Sequence, residues 1–294
     1  MESMKRHRMK RAAFILLALI TLVSATASWL LGSELVQPAM HPVPLPIGFE
    51  AQQVIIPSQG HAIAGWWIDN HANTPVVLLL PGIRADRSSM ASRATVLRTR
   101  GFSVLLIDLQ AHGETPGEKI TLGWRESRDV EAALEWLKSR FPGRRIGAIG
   151  CSLGGASILL GNQPAGFDAI VLEAVYPRIG RAVENRIRLR VGALAPLLTP
   201  LLLVQIPLRL GISLHDLEPI GHIADVGAPV LIVAGSRDEH TTLGESQELY
   251  RTAVQPKQLW VVDGARHQDF LAYDPAGYEA HVIEFLVQYL RPPG

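Results

Sequence analysis

The 294-residue chain is poor in several residue types, and each scarcity narrows what the chain can be. Cys151 is the only cysteine, which excludes an internal disulfide. The sequence contains no phosphate-binding loop, dinucleotide fingerprint, zinc finger or His-Glu-x-x-His metal signature, so we expect neither a cofactor nor a metal. A net charge of +1 and the absence of an aromatic and basic stripe argue against nucleic acid as a partner.

The basic residues cluster at the amino terminus, ahead of a long apolar run. Residues 1–11 hold five Lys or Arg and one Glu, which leaves the rest of the chain with a small negative charge. Residues 12–31 carry no charge, and a helix over them would cross ~30 Å of hydrocarbon at ~1.5 Å per residue. The segment 1–35 is therefore a membrane anchor or a secretory signal peptide, the latter cleaved near the small residues 25–27.

The apolar run continues past those small residues, which favours an anchor over a signal peptide. The positive flank stays in the cytoplasm under both interpretations. We therefore expect a membrane-anchored protein whose body lies outside the cytoplasm, with a secreted or periplasmic protein as the alternative after cleavage. The membrane would be contacted through the N-terminal segment.

Beyond a proline-rich linker at residues 36–49, short apolar runs alternate with stretches of helical period. Strand and helix in alternation predict an α/β fold for residues 50–294, with a mostly parallel central sheet flanked by helices. The first two runs predict a hairpin, and continuous apolar runs suit strands buried on both faces. The predicted strands lie at residues 54–56, 63–68, 76–80, 103–108, 145–149, 168–173, 230–234 and 258–262.

A connection of about 50 residues, 178–228, interrupts this alternation and predicts a small helical cap inserted before the strand at 230–234. Within it, residues 191–208 carry no charge and are just long enough to span a bilayer. Three prolines argue against a second span, as does the need to keep all the strands on one side of the membrane. We expect an apolar lid over the functional site, with membrane-surface contact or simple core packing as alternatives.

The stretch GCSLGG, residues 150–155, lies between a predicted buried strand and a predicted helix. Gly150, Ser152 and Gly154 form the Gly-x-Ser-x-Gly pattern of a nucleophile elbow, where small neighbours permit a strained turn that exposes the serine. A serine in a glycine-rich turn can also be an ordinary helix cap. The assignment of Ser152 as a nucleophile therefore depends on a base and an acid elsewhere in the chain.

A serine nucleophile needs a histidine to accept its proton and a carboxylate to orient that histidine. Asp238 follows the predicted strand 230–234, and His267 follows the strand 258–262, so an acid and a base come in order after two successive strands. Their joint occurrence predicts that Ser152 is a nucleophile. His240 is the competing base, but it lies only two residues after the proposed acid, and the weaker alternatives for the acid are Glu239, Asp263 and Asp269.

Acyl transfer also requires two N–H donors for the developing oxyanion. The backbone N–H of Leu153, directly after the proposed nucleophile, is one candidate. The backbone N–H of Ile83, in the loop after the strand 76–80, is the other. Gly82 precedes Ile83 and permits a close approach of the chain, although an ordinary turn glycine has the same appearance in sequence.

With these motifs in place, the chain resembles the α/β-hydrolase superfamily, and more narrowly its exported or membrane-anchored members described as serine-aminopeptidase-like or esterase-like. The resemblance spans roughly residues 50–290. It implies an α/β-hydrolase fold, a Ser152, Asp238 and His267 triad, and a structural role for the loop containing His112 and Gly113. Pro81 departs from the histidine common in the family. The matching segments are residues 80–82, 108–113, 150–155, 229–238 and 264–267.

These features predict a serine hydrolase that cleaves carboxylic esters through an acyl-enzyme, and the apolar cap favours small-molecule ester or acyl substrates. An aminopeptidase, amidase or thioesterase would use the same triad. For an aminopeptidase, Glu173 and Glu184 are candidates to bind the substrate amine. A hypothesis of another class is a membrane-tethered binding protein that keeps the fold without catalysis.

Overall fold

An eight-stranded sheet forms the centre of the fold in a computed structural model, which describes residues 2–71, 73–161 and 166–291. Its strand order is β10-β9-β8-β7-β4-β5-β3-β2, while β1 and β6 form a separate parallel pair. The strands are β1 (Ala39–Met40), β2 (Gln52–Ser58), β3 (His61–Ile68), β4 (Val76–Leu80), β5 (Ser103–Ile107), β6 (His112–Gly113), β7 (Ile146–Cys151), β8 (Ala169–Glu173), β9 (Val230–Gly235) and β10 (Lys257–Val262).

Six neighbouring strands, from β10 to β5, run parallel, and the hairpin β2–β3 adds two antiparallel strands at one edge. This arrangement confirms the predicted sheet. Successive residues of β4 point to opposite faces: Val77 and Leu79 pack on one side, and Leu78 and Leu80 pack on the other. Both faces of the sheet are therefore buried under helices, which explains the continuous apolar runs.

The helices cover both faces and also form the insertion. On one face α3 and α8 contribute Val130, Leu134 and Leu249 to the core, and on the other α2 and α11 contribute Leu97 and Phe285. The α-helices are α1 (Glu2–Val36), α2 (Ala91–Thr99), α3 (Glu126–Arg140), α4 (Leu153–Leu159), α5 (Ile179–Val191), α6 (Ala195–Leu203), α7 (Gln205–Leu210), α8 (Leu243–Thr252), α9 (Phe270–Tyr273), α10 (Pro275–Tyr278) and α11 (Glu284–Leu290), with a π-helical turn at Glu279–Ile283.

The loop after β5 is fixed by a buried charged cluster. Asp108 is buried and accepts hydrogen bonds from the backbone N–H of Arg87 at 2.7 Å and of Glu114 at 2.8 Å. The Arg87 guanidinium forms ion pairs with the carboxylates of Asp108 and Glu114. It also lies 4.7 Å from the centre of the Trp66 ring. These contacts hold the segment that leads into β6, where His112 is buried with Nδ1 2.8 Å from the Gln110 carbonyl.

The insertion between β8 and β9 is helical, containing α5, α6, α7 and short 3-10 turns. Gly192, with φ of +57°, ends α5 and separates it from α6. Because β8 and β9 are adjacent parallel strands of one sheet, the insertion leaves and re-enters the same body. This is the geometry expected of a cap rather than of a second membrane span.

Among the residues that the structure describes, two helical stretches, Arg6–Val36 and Ile179–Leu210, are long and apolar enough to cross a membrane by composition. The most apolar part of the first stretch is fully exposed, whereas the second stretch consists of the short helices α5, α6 and α7 of the insertion. Residues 36–49 lie along the body: Val36 and Val43 are buried, and the Ala39 N–H donates to the Ala111 carbonyl at 2.8 Å. The carboxyl end of α1 is thereby held close to the loop after β5.

Candidate active site

Ser152 lies at the carboxyl end of β7, directly before α4, in the turn that the GCSLGG motif predicts. Its backbone has φ of +47° and ψ of −106°, a conformation that is strained for a residue with a side chain. Its N–H donates to the Glu173 carbonyl at 2.8 Å, which ties the turn to the neighbouring strand β8. The side chain makes no helix-capping hydrogen bond, so Ser152 does not act as an ordinary cap.

The glycines of the motif are required because backbones meet closely here. A Cβ added to Gly150 would lie 2.5 Å from the Cα of Gly155, and one added to Gly154 would lie 2.5 Å from the carbonyl oxygen of Leu80. Neither contact is sterically allowed. The turn therefore depends on residues without side chains, and it presses against the loop that follows β4.

Asp238 and His267 come together beyond the carboxyl ends of β9 and β10. The His267 Nδ1 lies 2.8 Å from Oδ2 of Asp238, whose side chain is fully buried. The other oxygen, Oδ1, accepts the backbone N–H groups of His240 at 2.8 Å and Thr241 at 2.9 Å. A carboxylate only accepts hydrogen bonds, so Nδ1 carries a proton, and the acceptor nitrogen of this ring in its neutral form is Nε2.

His240, the competing base, stacks on His267 with ring centroids 5.0 Å apart and an interplanar angle of 15°. Its ring makes no hydrogen bond to Asp238 in the described part of the chain; only its backbone does. Burial, with the nearby positive charge of Arg186, lowers the pKa of His240 below its ordinary value. His240 is therefore a neutral ring that packs beside His267 at neutral pH.

The alternative acids lie elsewhere. Glu239 is exposed. Asp263 accepts a hydrogen bond from the Ser236 hydroxyl at 3.2 Å, and Asp269 caps α9 and pairs with Arg93. Among the acids considered, Asp238 is the one whose carboxylate contacts the His267 ring.

The two predicted oxyanion donors line the same cavity as Ser152. Leu153 begins α4, so its N–H has no partner within the helix, and Ile83 lies in the loop that contacts the elbow. Neither N–H donates to an acceptor within residues 2–71, 73–161 and 166–291. Two free donors therefore border the candidate nucleophile, while no hydrogen bond joins the Ser152 hydroxyl to His267 in these ranges.

The cavity above Ser152 has a mostly apolar lining that comes from the cap and, unexpectedly, from α1. The cap contributes Ile179 and Ala182 from α5, Leu202 from α6 and Ile206 from α7. The last turns of α1 contribute Gly32, Leu35 and Val36. Sequence reasoning treated residues 1–35 as separate from the functional site, and no local pattern could have revealed this contact.

Arg186 brings a positive charge to this apolar lining. Its guanidinium donates to the Ala182 carbonyl at 3.0 Å. Burial lowers the pKa of Arg186, although an arginine remains charged at neutral pH. Sequence reasoning missed Arg186 because the arginines of an arginine-rich helix such as α5 are usually exposed to solvent.

Neither glutamate proposed to bind a substrate amine is placed to do so. Glu173 is buried beneath the elbow, where its carboxylate accepts Arg93 Nη2 at 2.7 Å, the Tyr278 hydroxyl at 2.6 Å and the Cys151 thiol at 3.1 Å. Glu184 pairs with Arg188 one helical turn further along α5. Glu173 instead belongs to a buried network that supports the turn carrying Ser152.

Chemistry based on a bound metal has no visible site in the described ranges. Within residues 2–71, 73–161 and 166–291, no three His, Cys, Asp or Glu side chains are grouped as metal ligands. The groups that this site brings together are a hydroxyl, an imidazole, a carboxylate and two backbone N–H donors.

The network around Glu173 predicts an unreactive thiol next to Ser152. Burial, reinforced by the Glu173 carboxylate, raises the pKa of Cys151 well above its ordinary value, so the thiolate that attacks disulfide reagents is scarce. We expect Ellman's reagent at about pH 8 to modify Cys151 in denatured protein within minutes and to leave it unmodified in folded protein over the same time. Equal rates in the two states would contradict this assignment.

A family model described as the alpha/beta hydrolase family matches residues 77–281. The uncharacterized protein MT2364 of Mycobacterium tuberculosis is 32% identical over 284 residues, covering 91% of each chain. YqkD of Bacillus subtilis, also described as uncharacterized, is 23% identical over 242 residues, covering 81% of this chain and 79% of its own.

Solved structures share the fold. The esterase Pf2001 of Pyrococcus furiosus superposes with a TM-score of 0.72 at 23% identity, covering 87% of this chain and 99% of that one. An acylaminoacyl peptidase of Pyrococcus horikoshii reaches 0.63 at 16% identity, covering 84% of this chain and 43% of that one. The resemblance drawn from the sequence is confirmed, and the chain belongs to the alpha/beta hydrolase family of enzymes.

Proposed function

We propose that the protein is a serine hydrolase that cleaves carboxylic esters through an acyl-enzyme. The observation that carries the proposal is the 2.8 Å contact between His267 and the buried carboxylate of Asp238, on the sheet edge that presents Ser152 on a strained turn. A buried carboxylate aligned on an imidazole is the arrangement that makes histidine an effective base for a serine.

In the proposed reaction His267 Nε2 accepts the Ser152 proton while the hydroxyl oxygen forms a bond to the ester carbonyl carbon. The N–H groups of Leu153 and Ile83 hold the resulting oxyanion, an interaction worth about 3–4 kcal/mol per donor. The bond to the alcohol then breaks, and His267 returns the proton to that leaving group. Water, deprotonated by the same imidazole, releases the acid and restores the Ser152 hydroxyl.

The Ser152 and His267 side chains need to come within hydrogen-bond reach for this chemistry. Such contacts are often long in unliganded hydrolases and shorten when a substrate is bound. The ring of His240 stacks against His267. The hydrogen bond from Nδ1 to Asp238 further restrains the orientation of the His267 ring.

The lining of the cavity favours esters with apolar acyl groups. Leucine, isoleucine, valine and alanine side chains surround Ser152, and such walls bind hydrocarbon better than charged groups. The Pyrococcus esterase with the same fold is consistent with this substrate class. An N-terminal amine would need a free carboxylate, and the described lining of the cavity contains none.

We also propose that residues 12–31 remain as a membrane anchor, with the hydrolase body outside the cytoplasm. Support comes from the unburied apolar surface of α1 and from the basic residues that precede it. The end of α1 reaches the cavity above Ser152, so the anchor and the site are joined by one helix.

The first test is labelling of the full chain in detergent with a fluorophosphonate probe, which reacts with activated serines. We expect labelling that disappears in Ser152→Ala and persists in Ser157→Ala. Ser157 is the matched control because its buried hydroxyl donates to the Leu153 carbonyl within α4. Folded protein that shows no labelling would favour the non-catalytic binding protein instead.

The second test separates the two stacked histidines. Replacing His267 with alanine removes the base, and we expect the turnover of a short ester to fall on the order of 10³-fold or more. Replacing His240 with alanine removes a packing partner, so most of the turnover should remain. The inverse result, with His240→Ala inactive and His267→Ala active, would identify His240 as the base.

A further inference from the structure

The outer surface of the cap carries a row of exposed apolar side chains. Leu197, Leu201, Val204 and Leu208 recur at helical spacing from α6, through the residue that joins the two helices, to α7, with exposed fractions of 73%, 49%, 56% and 69%. The same two helices direct Leu202 and Ile206 into the cavity above Ser152. A helical segment that is apolar all round is typical of burial on every side, in protein or in lipid.

Contacts with α1 place this row beside the membrane anchor. The Gln205 amide donates to the Ser28 hydroxyl at 2.9 Å, and Arg209 donates to the Ser33 hydroxyl at 2.9 Å. The Arg209 guanidinium also lies 3.8 Å from the centre of the Trp29 ring. The cap and the last part of the anchor are therefore packed together by polar contacts on one side, while the leucines of the cap remain exposed.

The depth of these contacts follows from the anchor. The apolar run of α1 ends at Leu31, so Ser28 and Trp29 lie near the edge of the hydrocarbon layer if residues 12–31 span it. Leu201 lies at the same level, because the Ser28 hydroxyl contacts its carbonyl at 3.4 Å. A bilayer that holds α1 would thus meet the exposed row of the cap without any movement of the protein.

The cavity shares its wall with this contact region. Gly32 is close to the cap, since a Cβ added there would lie 2.2 Å from Oε1 of Gln205. Leu35 and Val36 follow on α1 and line the cavity together with Ser152. The space above the candidate nucleophile is therefore enclosed by the end of α1 on one side and by the cap helices on the other.

We propose that the exposed row of α6 and α7 rests in the bilayer that holds α1, and that the cavity receives the acyl chain of a lipid ester directly from that bilayer between the cap and the anchor. The substrate class is a long-chain acyl ester resident in the membrane. The proposal deepens the serine-hydrolase function and rests on it for the chemistry. Its surface part, the seating of the cap in lipid, rests on the proposed membrane anchor and on the contacts between the cap and α1.

The contact with lipid is tested without reference to activity. The full chain, reconstituted in phosphatidylcholine vesicles, is labelled with a nitrobenzoxadiazole fluorophore at Leu201→Cys or, as the control, at Val254→Cys. Val254 is 59% exposed and lies in the connection between α8 and β10. It is near the amino end of β10, at the edge of the sheet opposite the edge that carries Ser152. We expect lipids spin-labelled in their chains to quench the fluorophore at position 201 and not at position 254, and equal quenching would overturn the proposal.

The delivery of substrate is tested with two esters that share one leaving group. Methylumbelliferyl butyrate reports the reaction in solution, and methylumbelliferyl oleate reports it in the vesicles. For Leu197→Ser with Leu208→Ser we expect the ratio of oleate to butyrate turnover to fall at least about tenfold, because less apolar surface is held in the bilayer. The control, Ile55→Ser with Val254→Ser, removes apolar residues of similar exposure elsewhere and should keep the ratio of the parent.

The outcomes separate the two proposals. A parent protein that hydrolyses neither ester, while the fluorophore at position 201 is still quenched, would end the serine-hydrolase function and leave the membrane seating intact. Butyrate turnover that requires Ser152, together with an unchanged ratio in the leucine variant, would end the delivery route alone.

The contribution of α1 to the cavity wall is tested by enlarging the side chain at Gly32. In Gly32→Leu the new side chain must displace Gln205 and narrow the cavity, so the acyl length of fastest turnover should shorten across methylumbelliferyl esters presented in detergent micelles. Ala25→Leu, on an exposed part of the same helix, is the matched control and should keep the optimum of the parent. An unshifted optimum in Gly32→Leu would show that α1 is not part of the acyl pocket.

Discussion

The site depends on the absence of side chains where β7 meets α4. Gly150 lies against Gly155, and Gly154 lies against the carbonyl of Leu80, at distances that no Cβ could occupy. This close approach lets the helix begin directly at the sheet edge, which lifts Ser152 above the strands and leaves the Leu153 N–H free. The same contact brings the loop with Ile83 to the elbow. One steric constraint thus sets the positions of the candidate nucleophile and both candidate donors.

Much of this arrangement could be predicted from the sequence because it follows from strand ends. Buried strands appear as apolar runs, and residues placed just after parallel strands collect at one edge of the sheet, which predicts that Asp238 and His267 lie together. The environment of Glu173 could not be predicted. Its partners Arg93 and Tyr278 come from distant helices, and a carboxylate at a strand end has the same appearance in sequence whether it faces a substrate or an ion pair.

The role of α1 was hidden for a related reason. The 20 uncharged residues 12–31 indicate a membrane segment, and a membrane segment is not expected to contact the active site of the protein body. The contacts of Ser28 and Ser33 with the cap are a few hydrogen bonds between segments more than 170 residues apart. They leave no periodicity and no motif, because the anchor meets the cap through a few side chains.

The topology of the insertion has a consequence for how this protein could diversify. The cap departs after Glu173 and returns at Val230, and these two residues lie on neighbouring strands whose pairing is complete without it. Its length and composition are therefore uncoupled from the register of the sheet. A lineage could exchange one cap for another, and with it the kind of molecule admitted, while the arrangement of Ser152, Asp238 and His267 is inherited unchanged.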